Sequence, residues 1–143
     1  QADIDAIIEG LRDGTLDNIA TDHAPHTRTE KSIEFQFAPF GIIGLETSLA
    51  LTITHLVKPG HISLEKAIEL LTIGGSRVCQ LGVGELKVGG PADITILDPN
   101  EVWTPTEADL GSKSANTPYL GVSLTGRVKY TFCDGRLVYR QGA

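Results

Sequence analysis

The apolar positions in the first part of the chain change from helical to extended spacing. Four of them recur at i, i+3, i+4 and i+7, which predicts an amphipathic helix that ends at Asp13-Gly14. These four are Ile4, Ile7, Ile8 and Leu11. A short apolar stretch, 16–20, then predicts a strand. The polar run 21–26 (Thr-Asp-His-Ala-Pro-His) follows directly, so polar side chains are expected at the carboxyl end of that strand.

Longer apolar segments follow an irregular stretch at 27–40. The segment 41–57 is long and apolar enough for a buried helix. Ser63 has the character of an N-cap for a second helix over 62–71. Gly74-Gly75 is expected to interrupt this helix, and a further short helix is expected at 76–81.

The pattern changes near residue 82, where glycines and prolines become frequent. We expect a β-rich stretch at 92–97, a turn at 98–100 and an extended loop at 104–121. Asp134-Gly135, between two apolar stretches, predicts a tight hairpin with positive φ at both central residues.

These patterns indicate an α/β protein with two parts. Residues 1–82 alternate helix and strand, which is typical of a parallel sheet covered by helices. Residues 83–143 predict a small β domain. One strand cannot complete a parallel sheet, and the chain contains no Met, so we expect it to be a portion of a longer protein.

The composition narrows the functional classes. Apolar residues make up 41%, charged residues 21%, and the net charge is −6, so nucleic acid and membrane surfaces are poor candidate partners. No apolar run is long enough to span a bilayer. The two cysteines, Cys79 and Cys133, do not form a disulfide framework, so a cytoplasmic location is expected.

Asp22, His23 and His26 form the main candidate site. A carboxylate at the carboxyl end of a strand occupies the position where an α/β barrel carries catalytic groups. It could bind a metal or transfer a proton, but the same residue could equally cap a turn. One Asp and two His do not complete a hydrolytic zinc site, which needs three protein ligands and a water.

Several stretches resemble the dihydroorotase family of the amidohydrolase superfamily. The first is 21–26, followed by Glu30-Lys31 and by 38–47 (Ala-Pro-Phe-Gly-Ile-Ile-Gly-Leu-Glu-Thr). The resemblance continues through 89–94 (Gly-Gly-Pro-Ala-Asp-Ile) and 113–119 (Lys-Ser-Ala-Asn-Thr-Pro-Tyr). It covers nearly the whole chain in order.

The resemblance implies a fold and an activity. The chain would be the C-terminal part of a (β/α)₈ TIM-like barrel (1–82) plus a small β domain (83–143). The whole enzyme would use one or two zinc ions to interconvert N-carbamoyl-L-aspartate and L-dihydroorotate in pyrimidine biosynthesis. The family's His-x-His and other zinc histidines are absent from this chain, so the remaining ligands are expected outside it and the chain alone is expected to be inactive.

The resemblance also implies roles for individual residues. Asp22 would bind zinc and carry the proton to the leaving ring nitrogen. His26 would bind the substrate carboxylate, and the backbone of Phe40 and Gly41 would bind substrate. His23 belongs to the motif without a ligand role, and we keep it as a secondary candidate.

Other interpretations stay open. The whole protein could be a non-catalytic, dihydroorotase-like partner of aspartate carbamoyltransferase, or another cyclic amidohydrolase such as a hydantoinase or allantoinase. Expected partners are a small-molecule substrate, the rest of the chain, and a second copy or aspartate carbamoyltransferase. Glu46 is expected to complement a helix dipole or to brace the loop, and Arg127 to lie on a solvated face.

Overall fold

The structure is a computed structural model that describes residues 1–142. A π-helical turn, Ile53–Val57, continues α3, and a 3₁₀ turn covers Glu107–Asp109. The α-helices and strands are α1 Ala2–Asp13, α2 Arg28–Lys31, α3 Ser48–Thr52, α4 Leu64–Leu71, α5 Ile73–Val78, β1 Ile94–Trp103, β2 Leu124–Cys133 and β3 Arg136–Arg140.

The helical core lies between α1 and α4. Gly14 ends α1 with a left-handed φ of 86°, as the predicted stop requires. Ser63 caps α4, because its side chain accepts a hydrogen bond from the backbone N–H of Lys66 at 3.1 Å. Both of these sequence predictions are confirmed. The buried residues of this core are Leu11 of α1, Ala67 and Leu70 of α4, and Ile62, which precedes α4.

The predicted strand at 16–20 is not formed. A strand is defined by its ladder of hydrogen bonds, and no strand of the described residues lies beside this segment. The backbone N–H of Ile19 instead donates to the carbonyl of Leu70 at 2.9 Å. The segment therefore runs along the end of α4 without regular structure.

The helix expected at 76–81 begins earlier, at Ile73, and includes Gly74-Gly75. The interruption predicted at the two glycines lies at Thr72 instead, which has φ −130° and ψ −91°. Gly74 is required for packing, since a Cβ there would lie 2.1 Å from the carbonyl oxygen of Asp17. The glycine thus lets the helix approach the 16–20 segment.

The long helix expected over 41–57 is wrong in its first part, because α3 begins only at Ser48. The backbone at 41–43 uses its hydrogen bonds at long range instead. Ile42 accepts from the N–H of Ala24 at 2.9 Å, and Ile43 donates to the carbonyl of Asn116 at 3.1 Å. These bonds hold residues 41–43 between the 21–26 run and Asn116.

The three strands form one antiparallel sheet in the order β1-β2-β3. The predicted hairpin is confirmed, with φ 50° at Asp134 and 72° at Gly135. The turn expected at 98–100 lies within β1 as an irregularity of the ladder between Asp98 and Val102. Asp98 accepts hydrogen bonds there from the N–H groups of Asn100 and Glu101, at 2.8 and 3.2 Å.

The sheet packs against α3 and the π-helical turn. Gly126 has a φ of 95°, and a Cβ there would lie 2.5 Å from the Cδ1 atom of Ile53, so only glycine allows this approach. Thr125 N–H donates to Thr54 Oγ1 at 2.8 Å across the same junction. The boundary between two domains at 82/83 stays a prediction, although within residues 1–142 the five α-helices precede it and the three strands follow it.

Arg127 does not lie on a solvated face, contrary to expectation. Its guanidinium lies 4.5 Å from the centroid of the Trp103 ring and donates to Asp109 at 2.6 Å. These contacts attach the loop after β1 to the sheet. In residues 1–142, no helix combines the length and the apolar character needed to cross a membrane.

Candidate active site

Asp22 combines a free carboxylate with a positive φ, a backbone feature that it shares with Gln80 and Asp134 in the described chain. Its φ of 44° places it in the left-handed region, which few residues other than glycine adopt. The side chain is exposed, and its carboxylate has no hydrogen-bond partner among residues 1–142. Because aspartate tolerates this region better than most residues, the candidacy of Asp22 depends on its free, exposed carboxylate in the 21–26 run.

The metal-ligand set is incomplete in the described chain. No group of three His, Cys, Asp or Glu side chains among residues 1–142 is arranged to hold a metal ion. Asp22 can supply one oxygen ligand, a donor type that zinc accepts. The donor chemistry of Asp22 is thus compatible with zinc, but a complete site would need further ligands besides Asp22.

His26 and Gly41 meet at the centre of the candidate site. Gly41 has a φ of 104°, and a Cβ added to it would lie 2.5 Å from Ala24 Cβ and 3.6 Å from His26 Nε2. The clash with Ala24 and the positive φ therefore require glycine here, and this glycine lies beside the imidazole. Phe40, the preceding residue, is 96% exposed. The structure thus brings together the predicted substrate-binding residues His26, Phe40 and Gly41.

Asn116 connects the two segments and was not identified from the sequence. Its Oδ1 atom accepts from the backbone N–H of His26 at 3.1 Å. Its Nδ2 atom donates to the carbonyls of Ala24 and Gly41, at 2.9 and 3.3 Å. The carboxamide is therefore used on both of its ends. The signal was available in the resemblance over 113–119, but nothing local in that stretch indicates which residue it would contact.

Lys31 holds the same loop from the other side. Its ammonium donates to the carbonyl of Pro39 at 2.9 Å and to that of Gly41 at 3.0 Å. The lysine lies at the end of α2, whose first turn is fixed by a capping box between Thr27 and Glu30. Helix and ammonium together set the path of residues 39–41.

His23 has a structural environment that differs from that of His26. Its Nδ1 atom accepts from the backbone N–H groups of Gly44 and Leu45, at 3.2 and 3.3 Å. The ring proton is therefore assigned to Nε2, which lies 3.3 Å from Ser112 Oγ. Both ring nitrogens are used within the chain, so His23 positions backbone.

Glu46 completes this network. It accepts from the Oγ and the backbone N–H of Ser112, at 2.6 and 2.9 Å, and so braces the loop as one of the two interpretations proposed. Partial burial raises the pKa of Glu46, but the hydrogen bonds from Ser112 and from its own backbone, with the nearby His23, outweigh burial. The pKa of the carboxyl is lowered overall.

A cavity of about 480 Å³ lies between α2 and the segment 107–116. Three basic residues line it, and a single acid, Glu107, does so in the described chain. Arg28 pairs with Glu107 at 3.1 Å. The other two basic residues of the lining are Lys31 and Lys113.

Comparison with protein families decides the affiliation of the chain. The model of the amidohydrolase family matches residues 1–138. The chain belongs to the amidohydrolase family. Its fold is accordingly the amidohydrolase fold, which the sequence resemblance implied.

Amidohydrolases similar in sequence include three dihydroorotases. That of Clostridioides difficile is 51% identical over 137 residues, covering 96% of this chain and 32% of the relative. That of Chlorobaculum tepidum is 52% identical over 136 residues (95% and 31%). That of Acetivibrio thermocellus is 46% identical over 139 residues (97% and 33%). The chain spans about a third of the length of these relatives.

Solved amidohydrolase structures resemble the chain in fold. The dihydropyrimidinase from Brevibacillus agri superposes with a TM-score of 0.87 at 23% identity, covering 95% of this chain and 31% of that protein. The L-hydantoinase (dihydropyrimidinase) from Arthrobacter aurescens gives a TM-score of 0.85 at 29% identity, covering 96% and 32%.

Proposed function

We propose that the protein containing this chain is a zinc-dependent dihydroorotase, which interconverts N-carbamoyl-L-aspartate and L-dihydroorotate. The observation that carries the proposal is the meeting of His26 with Gly41, where a Cβ on the glycine would lie 3.6 Å from Nε2. An imidazole beside a backbone segment whose N–H groups can donate suits a small carboxylate. The names of the similar relatives support the same substrate.

Each residue of the chain has a distinct task in this reaction. Asp22 accepts a proton on its carboxylate when water attacks the ring carbonyl, and returns it to the ring nitrogen as the carbon–nitrogen bond breaks. The free, exposed carboxylate suits such a transfer. His26 and the backbone N–H groups of Phe40 and Gly41 bind the carboxylate of the substrate and so orient the ring.

Zinc would be held in part by Asp22 and would supply polarisation of the amide carbonyl and a more acidic water. This chain would contribute the carboxylate of Asp22 to the zinc site. Both ring nitrogens of His23 are engaged. Its bonds to the N–H groups of Gly44 and Leu45 fix the segment that contains Asp22 to the segment after the 39–41 loop.

A second candidate is a hydantoinase or dihydropyrimidinase activity. It is favoured by the superposition on the hydantoinase from Arthrobacter aurescens, with a TM-score of 0.85. Hydantoin and dihydrouracil rings are cyclic amides like dihydroorotate, but they lack its ring carboxylate. The two functions therefore differ in whether the site recognises an anion.

The test is turnover by the full-length protein with zinc, on dihydroorotate against hydantoin, dihydrouracil and allantoin. We expect turnover of dihydroorotate alone. Asp22→Asn should lower kcat by at least about 100-fold while the melting temperature stays within about 2 °C. Asp17→Asn, at an exposed carboxylate nearby in sequence, is the control and should leave kcat unchanged.

Two results would contradict the proposal. Turnover of an uncharged ring in preference to dihydroorotate would favour the hydantoinase class. Absence of both zinc binding and turnover on every ring, with a stable fold, would favour a non-catalytic partner of aspartate carbamoyltransferase.

A further inference from the structure

Lys31 is a partly buried cation whose charge is not paired. Its Nζ atom donates to two carbonyl oxygens, those of Pro39 and Gly41, at 2.9 and 3.0 Å. No carboxylate of residues 1–142 lies within 4.0 Å of it, whereas Arg28 on the same helix has an acidic partner. Carbonyl dipoles orient the ammonium but do not cancel its charge, so the positive field extends to the loop that Lys31 holds.

The two accepting carbonyls flank Phe40 and Gly41, whose N–H groups are the proposed anion donors. The carbonyl of Pro39 and the N–H of Phe40 belong to one peptide unit. A cation at the oxygen of this unit draws electrons toward itself and makes its N–H a stronger donor. The second bond, to Gly41, fixes the turn that faces His26.

We propose that Lys31 is a specificity-determining residue that makes the 39–41 loop selective for a carboxylate-bearing ring. The inference rests on the proposed function. Lys31 acts through the backbone of Phe40 and through its charge, so it is a positioning residue. It favours anionic rings over neutral rings of the same size, and Asn116, which shares the Gly41 carbonyl at 3.3 Å, contributes only the shape of the loop.

The experiment compares Lys31→Met with Lys31→Arg in the full-length, zinc-loaded protein. Lys113→Met is the matched control, because Lys113 lines the same cavity but is exposed. Dissociation constants are measured by calorimetry for orotate, a planar ring with the carboxylate, and for uracil, the same ring without it. KM and kcat are measured on dihydroorotate.

We expect Lys31→Met to weaken orotate binding by about ten- to hundredfold and to leave uracil binding within about twofold. KM for dihydroorotate should rise by a similar factor while kcat changes much less. Lys31→Arg should recover most of the lost orotate affinity. Lys113→Met should leave the dissociation constants of both orotate and uracil unchanged.

If Lys31→Met weakens the binding of orotate and uracil equally, the inference is overturned, because the substitution then damages the loop in general. If Lys113→Met weakens orotate binding as much as Lys31→Met does, it is also overturned, because the effect then comes from the overall positive charge of the cavity. Unchanged orotate binding in Lys31→Met would overturn it as well. The proposed function fails separately, through loss of dihydroorotate turnover by the wild-type protein, and the orotate-to-uracil ratio still decides the role of Lys31 in that case. A wild-type protein that binds orotate no better than uracil would overturn both.

Discussion

The imidazole of His23 accepts a hydrogen bond from the backbone N–H of Gly44 at 3.2 Å, through Nδ1. Leu45 N–H shares the same acceptor at 3.3 Å. The Gly44 N–H would otherwise lack a partner in a part-buried place, which makes His23 a structural support for the residues that follow the 39–41 loop.

Truncation of His23 should therefore destabilise the protein. We expect His23→Ala to lower the free energy of unfolding by about 1–3 kcal/mol, because both N–H groups lose their acceptor. His23→Asn, whose carboxamide oxygen can take the place of Nδ1, should lose less than half as much. Denaturant unfolding of the full-length protein measures both. His55→Ala, at an exposed histidine, is the control, and an equal loss there would contradict the role given to His23.

Replacement of Asn116 by the isosteric aspartate should impair both substrate binding and stability. Asn116→Asp replaces the donor that faces Ala24 and Gly41 with an oxygen, so the new carboxylate would repel both carbonyls. We expect KM for dihydroorotate to rise at least about tenfold, and stability to fall by about 1–3 kcal/mol. Ser114→Ala, which removes only the 2.8 Å bond donated to Asn116 Oδ1, should cost far less.

Gly41→Ala should be more harmful than an alanine at a comparable glycine. Both Gly41 and Gly121 have positive φ, 104° and 77°, but only Gly41 faces a close neighbour, since a Cβ at Gly121 would meet nothing within 4 Å. Gly121→Ala should cost about 1–2 kcal/mol of backbone strain alone. Gly41→Ala adds a clash with Ala24 and should also raise KM. Equal unfolding free energies for the two variants would contradict this prediction, because the contact with Ala24 would then add nothing to the cost of the substitution.

The lowered pKa of Glu46 predicts a pH dependence with a definite sign. A carboxyl whose pKa is lower in the folded state contributes stability above its unfolded pKa of about 4.3, and this contribution is lost as the pH falls through the folded value. Wild type should therefore exceed Glu46→Gln in stability at pH 7, and the difference should shrink toward pH 3. Melting temperatures across that range test it. Glu34→Gln, at an exposed glutamate, should differ little from wild type at any pH.

Local signals predicted local structure well. The hairpin at Asp134-Gly135, the left-handed Gly14 and the cap at Ser63 depend on side chains and φ angles within a few residues, so the sequence contains what is needed. The segment 41–47 was predicted to be helical because it is apolar. Its hydrogen bonds go to Ala24 and to residue 116, and periodicity cannot reveal partners so far away.

Sequence motifs indicated some residues of the candidate site, but they did not indicate the residue that joins its segments from a distance. Asp22, His26 and Gly41 belong to short motifs that resemble a known family. Asn116 acts through a side chain 90 residues from the backbone N–H that it binds, and only the folded chain brings the two together. The strand expected at 16–20 failed because a strand requires a neighbour, which the described residues do not provide.

This long separation has a consequence for biosynthesis. The partner of His26 N–H is made 90 residues later than the histidine itself, so the ribosome needs roughly 5 to 18 seconds to supply it. During this interval the segment that carries Asp22 and His26 lacks its hydrogen bonds to Asn116. Competence for binding should therefore arise late in translation, after the segment before β2 has emerged.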